Sequence, residues 1–213
     1  MADLVLYTNP MSRGRMARWM LEEVGRPYRT QYVEYGPAMK DAAYRAINPM
    51  AKVPALRHGD VVVTETAAIC AYLADAFPEA GLAPPPGDPA RGVYYRWLFF
   101  AAGPIEAAVT NRMLKVEVSP DQQPMTGYGS YAAVLDAMEQ ALTGGGYVAG
   151  DRFTAADVYF GSQIGWGLQF GSIETRPAFQ AYWDRIKDRP AHLRAEEADN
   201  AEITRQKAAS ATT

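Results

Sequence analysis

One cysteine and two histidines are all the chain offers for disulfide and soft-metal chemistry. A single thiol, Cys70, excludes an internal disulfide and suits a reducing, cytoplasmic setting. His58 and His192 lie far apart without paired-ligand spacing, so no structural or catalytic metal is expected. No apolar run approaches the roughly 18 residues of a membrane span, and no membrane partner is expected. Asp3 stands where a signal peptide would carry basic residues ahead of an apolar stretch, so no such signal is read. Positive charge is also scarce. With 21 Lys and Arg against 24 Asp and Glu, net charge is −3, which argues against a nucleic-acid partner.

What is present is ordinary globular composition. Of 213 residues, 48% are hydrophobic and 21% charged, enough for one large domain or two small ones with a real core. Leu4 to Tyr7 is a short apolar run bounded by Asn9-Pro10 and predicts a buried strand. Met16, Trp19, Met20 and Val24 recur at helical spacing after Ser12, with Gly25 at the stop. Tyr28 to Glu34 alternates as a second strand, and Pro37 to Ala46 predicts one short helix ended by Asn48-Pro49. Val53 to Arg57 and Val61 to Thr64 flank the Gly59-Asp60 turn as a hairpin. Ala67 to Ala76 reads as a helix. The order predicts a small α/β layer with parallel and antiparallel parts.

Pro84-Pro85-Pro86-Gly87-Asp88-Pro89 cannot continue a helix and reads as a stiff linker. Helical pattern follows in Arg91 to Val118, Tyr128 to Leu142, Thr154 to Phe170, Pro177 to Asp188, and more weakly from Ala191. The expected division is a first domain over 1–78, a linker over 79–89 and an all-helical domain over 90–213. Ser210 to Thr213 is small and polar and is expected to fray.

The most informative stretch is Ala51-Lys52-Val53-Pro54-Ala55-Leu56, followed by Thr64-Glu65-Thr66-Ala67-Ala68-Ile69. Proline is accepted at a strand's first residue because it donates no ladder hydrogen bond. Thr and Glu at a helix start surround backbone N–H groups that lack internal partners and attract an anion. A main-chain edge beside such a helix start suits an extended peptide ending in a carboxylate. Gly150-Asp151-Arg152-Phe153-Thr154-Ala155-Ala156-Asp157 carries a capping box, with Phe153 and Val158 as its staple, and is assigned to stability.

These motifs, with Leu6-Tyr7 followed by Ser12 and a helix, resemble the cytosolic glutathione S-transferase superfamily over residues 3–195. The resemblance implies a thioredoxin-like α/β N-terminal domain and an all-α C-terminal domain. It implies a cis Val53–Pro54 bond that lets Val53 pair through its main chain with the cysteinyl backbone of glutathione. Lys52 would reach the glycyl carboxylate. Thr66 would take the γ-glutamyl α-carboxylate and Glu65 its ammonium.

Ser12 is the candidate for chemistry. Its local role is the helix N-cap, and the functional role is compatible with it. A helix start and a donated O–H lower a thiol pKa from about 8.5, and two units of depression stabilise the thiolate by about 2.7 kcal/mol. Tyr7 competes, since some classes use a tyrosine at the end of the first strand. Spacing looks more like the serine-type, theta-like classes. Members with a cysteine in this loop are excluded, because positions 8–16 contain none.

The resemblance puts a small hydrophobic electrophile between the domains, with walls from Pro10, Met11, Trp97, Phe100, Met113 and Trp166. It implies a cytoplasmic, detoxifying homodimer, paired near Arg91 to Tyr95, that uses glutathione as co-substrate and no metal. Two alternatives stay open. One is a non-catalytic binding or regulatory protein of the same fold. The other is a glutathione-dependent disulfide oxidoreductase or isomerase, disulfide exchange then running through two glutathiones; peroxide reduction stands beside conjugation as an activity of the transferase.

Overall fold

A computed structural model describes residues 3–211 of the chain. The chain forms two compact units, residues 1–82 with 189–213, and residues 83–188.

The first unit is built on a four-stranded sheet: β1 (Leu4–Thr8), β2 (Arg29–Tyr32), β3 (Ala55–His58) and β4 (Val61–Thr64), in spatial order β2-β1-β3-β4. β2 runs parallel to β1, whereas β3 and β4 are antiparallel neighbours. Successive side chains of β1 point to opposite faces. Thr8 faces the start of α1 (Gly14–Val24). Val5 and Tyr7 face a cluster with Val33, Met39, Tyr44 and Ala55. That cluster is roofed by α2 (Pro37–Lys40) and α3 (Ala42–Ile47). The single helix expected from Pro37 is broken at Asp41, whose extended backbone and carboxylate restart it by accepting the Tyr44 N–H at 2.7 Å.

α1 and α4 (Thr66–Ala76) pack together on the opposite face. Met16, Trp19, Met20, Leu21, Ile69 and Leu73 are fully buried there, each contributing about 1.5–3 kcal/mol of transfer free energy. Gly25 ends α1 in the left-handed conformation at φ 70°. In that region glycine carries no Cβ penalty.

The second unit is helical: α5 (Ala90–Phe100), α6 (Glu106–Met113), α7 (Tyr131–Leu142), α8 (Ala155–Phe170) and α9 (Pro177–Ile186). One π-helical turn, Ala101–Ile105, carries Pro104 between α5 and α6. α8 is buried almost all round, as the central helix of a unit must be. Gly161 and Gly165 let α9 approach it. A Cβ there would lie 2.3 Å from Ile186 Cδ1 and 2.6 Å from Trp183 Cη2. Asp157 anchors the start of α8, accepting Val148 N–H at 2.8 Å, Thr154 N–H at 2.8 Å, the Thr154 hydroxyl at 2.9 Å and the Tyr182 hydroxyl at 2.7 Å.

The last helix, α10 (Pro190–Ser210), departs from the expected division. It belongs with the first unit and lies along α1. Polar pairs hold it there. Arg15 meets Glu196 at 2.9 Å, Arg194 meets Glu22 at 2.8 Å and Arg189 meets Glu23 at 2.6 Å. Arg18 Nε lies 3.0 Å from Asp199 Oδ1, both side chains buried. Hydrophobic patterning assigns helices to a face but is blind to such charged contacts between distant segments. Ser210 is still helical, while Thr212 and Thr213 of the tail expected to fray lie outside the described residues.

Candidate functional site

Strand register gathers the motifs at one end of the sheet. β3 pairs Ala55 with Tyr7 of β1 and with Thr64 of β4. Residues just before Ala55 therefore lie beside residues just after Tyr7 and just after Thr64. Val53-Pro54, the loop leading to Ser12, and Glu65-Thr66 share that edge by topology alone.

The loop from Thr8 to Ser12 is fixed at nearly every polar group. Asn9 donates Nδ2 to the Val33 carbonyl at 3.0 Å and accepts the Met11 N–H at 2.9 Å. Tyr35 donates its hydroxyl to the Met11 carbonyl at 3.1 Å, and Arg15 Nη1 donates to the Pro10 carbonyl at 3.1 Å. Ser12 is buried, its Oγ accepting the Gly14 N–H at 3.0 Å and donating to the Asn9 carbonyl at 2.7 Å. The expected N-cap is displaced by one residue. Arg13 holds the cap position of α1 but its side chain does not cap the helix, while Ser12 satisfies the Gly14 donor from one residue earlier.

The second edge is equally defined. The Val53–Pro54 peptide is cis. Lys52 is exposed, Val53 half-buried against the Tyr7 cluster and Pro54 buried. Glu65, expected inside the helix start, is its cap residue, at φ 64° and ψ 118°. That backbone is sparsely populated for a residue with a Cβ and costs about 1–3 kcal/mol. No side chain caps α4, Thr66 is its first residue, and Glu65 is exposed beside it. The first-turn N–H groups of α4 have no intrahelical carbonyl to reach, and Thr66 and Glu65 stand at that helix start.

Tyr7 lies at the same end of the sheet but on its α2–α3 face, buried in the cluster against which Val53 packs, its ring 6.2 Å from that of Tyr44. Thr8 points toward the start of α1 and so does not share that face. The other wall candidates divide between the units. In the first, Pro10 is buried and Met11 is 67% exposed. In the second, Trp97 is core, edge-on to Phe100 and Phe160 at 5.3 and 5.7 Å. Phe100 and Trp166 are half-buried there, and Met113 is exposed.

Several side chains that build this edge escaped the sequence reading. Asn9, Tyr35, Arg15, Tyr44 and Asn48 each bind a loop carbonyl or N–H. Asn9-Pro10 and Asn48-Pro49 read only as punctuation. The signal that marks them is an Asn able to cap its own turn two residues on.

Residues 11–76 match the family model for the glutathione S-transferase N-terminal domain, and residues 99–190 that for its C-terminal domain. Glutathione S-transferase GstA of Escherichia coli O157:H7 is 30% identical over 149 residues, covering 69% of this chain and 73% of its own. A glutathione transferase structure from Methylococcus capsulatus superposes with TM-score 0.78 at 30% identity, over 93% of this chain and 99% of the other. A Sulfitobacter homologue with bound glutathione gives TM-score 0.74 at 27% identity, over 93% and 99%.

Proposed function

Because the chain belongs to the glutathione S-transferase family, we propose that it binds glutathione at this sheet edge, activates it as a thiolate with Ser12, and transfers it to a small hydrophobic electrophile. The observation that carries the reading is the strand register, which sets the Ser12 loop, Val53-Pro54 and Glu65-Thr66 side by side. Val53 offers main-chain groups to the cysteinyl backbone, Glu65 and Thr66 take the γ-glutamyl end, and Lys52 takes the glycyl carboxylate.

Ser12 acts without being a base. Its Oγ already accepts the Gly14 N–H, which fixes the oxygen and leaves the hydrogen to be turned from the Asn9 carbonyl toward a sulfur anion. The thiol proton passes to solvent, a sulfur–carbon bond forms, and the leaving group departs with its electron pair. Exposed Met11 beside Ser12 supplies an apolar wall on the first unit. Tyr95 and Phe99, exposed on α5, support a homodimer, and Cys70, kept as a free thiol, suits the cytoplasm.

The test is kinetic. Ser12→Ala is expected to keep glutathione binding and to cut thiol attack at pH 7 by up to about 25-fold, the ratio of thiolate fractions at pKa about 6.5 and about 8.5. Its pH profile shifts upward to that of free glutathione. An unchanged profile removes Ser12 from the chemistry. A shift that follows Tyr7→Phe instead moves the role to Tyr7. Parallel assays with an aryl halide, a peroxide and a disulfide separate conjugation from reductase chemistry, and inactivity towards all three with glutathione bound points to a binding protein.

A further inference from the structure

Two side chains of the first unit converge on one backbone oxygen. The Lys52 carbonyl accepts the Tyr44 hydroxyl at 2.7 Å and Asn48 Nδ2 at 2.8 Å. Both donors are buried, Tyr44 at 6% and Asn48 at 3% exposure. Their own positions are set independently. Tyr44 is fixed by the Asp41 cap on its N–H and by its ring packing in the Tyr7 cluster. Asn48 Oδ1 accepts the Met50 N–H at 3.0 Å. That bond assigns the amide orientation and leaves Nδ2 for the carbonyl.

This double grip has a geometric result. Lys52 C=O and Val53 N–H belong to one planar peptide, and in a trans peptide they point in opposite directions. Of this pair of bonds only Val53–Pro54 is cis. Holding the oxygen on the α3 side therefore aims the Val53 N–H away from α3. Ala51 is left-handed at φ 52°, a conformation that its Cβ disfavours, and its N–H donates to the Asn48 carbonyl at 2.9 Å. The bonds from Tyr44 on α3 and from Asn48 at its end keep the Lys52–Val53 peptide plane in one orientation.

We propose that Tyr44 and Asn48 are positioning residues for the glutathione backbone: by saturating the Lys52 carbonyl they present the Val53 N–H as a preset donor. The proposal rests on the reading that glutathione docks at Val53. Burial holds the Tyr44 hydroxyl up at about 12, so it remains a donor across the working pH range.

The experiment compares wild type, Tyr44→Phe and Asn48→Asp by calorimetry with glutathione and with S-methylglutathione, whose sulfur cannot ionise. Tyr44→Phe keeps the ring and removes one donor. Asn48→Asp keeps shape and the Met50 acceptor but turns a carboxylate toward the carbonyl. Each variant is expected to weaken both ligands equally, by about threefold to tenfold. KM for glutathione rises by the same factor, kcat at saturation is retained, and the ionisation pH of the bound thiol stays in place. Wild-type binding matched by equally tight variants overturns the proposal and leaves the functional reading standing. A shifted ionisation pH with unchanged affinity for S-methylglutathione also overturns it. Wild type that binds neither ligand overturns the functional reading and the proposal together.

Discussion

The hydroxyl of Thr8 occupies the space that a side chain on Gly14 would need. A Cβ built there falls 1.8 Å from Thr8 Oγ1 and 3.0 Å from Ser12 Oγ. Thr8 is fully buried, so it has no room to withdraw. Gly14→Ala improves helix propensity by up to about 1 kcal/mol yet is expected to destabilise by about 1–3 kcal/mol through the clash. It also pushes Ser12 from its place. Removing the obstacle with Thr8→Ala in the same chain restores part of both losses. Urea unfolding midpoints and the pH profile of thiol attack read the two effects, and a Gly14→Ala variant as stable as wild type defeats the argument.

Arg15 joins the last helix to the Ser12 loop. Its guanidinium spans the Pro10 carbonyl, the Glu196 carboxylate and Asn200 Oδ1. Arg15→Lys cannot keep this fork, because an ammonium lacks the planar donor set. Activity at low glutathione is expected to fall severalfold, while Glu196→Gln, which leaves the Pro10 bond intact, loses less. Steady-state kinetics on both variants test the ranking, and equal losses count against it.

Asp157 accepts four hydrogen bonds while fully buried. Asp157→Ala strands four donors and is expected to cost about 3–5 kcal/mol. Tyr182→Phe removes one donor and costs about 1 kcal/mol. Helix loss followed by circular dichroism in denaturant gives both values. Similar midpoints for the two variants would mean that the network does not act as described.

Alkaline pH is expected to weaken the fold. Burial pushes the Cys70 thiol up to about 12, from an ordinary value of 9.0. Between those values the unfolded chain loses the proton and the folded chain keeps it. Stability therefore falls as pH rises, by about 1.4 kcal/mol per pH unit from this group alone. Burial also holds Tyr28 and Tyr44 up to about 12, and both add to the fall above pH 10. In the native protein Cys70 stays inert to thiol reagents at pH 8, and it reacts once denaturant is added. Fast modification of the native chain contradicts this placement.

The sequence exposed much of this architecture because local chemistry dominates at those points. Gly25 stops α1, Gly59-Asp60 turns the hairpin, and Thr154 with Asp157 opens α8, each acting within a few residues. Val53-Pro54 and Glu65-Thr66 were legible as a pair because a short hairpin joins them. Less local facts were hidden. Asp41 divides a helix that periodicity drew as one piece, since capping by a side chain competes with continuation. The buried hydroxyl of Tyr44 meets Lys52 only after α3 turns back. Arg15, Arg18, Glu22 and Glu23 carry no local signal of their partners, which stand more than 160 residues later.

The return of α10 to α1 makes the first unit discontinuous in the chain. A ribosome therefore delivers the sheet, then residues 83–188, and only afterwards the helix that neutralises Arg18 and Arg15. At about 5–20 residues per second that interval is on the order of ten seconds. Throughout it α1 lacks His192, whose ring packs tilted against Trp19 with centroids 4.4 Å apart. The first unit is thus complete only once α10 has left the ribosome.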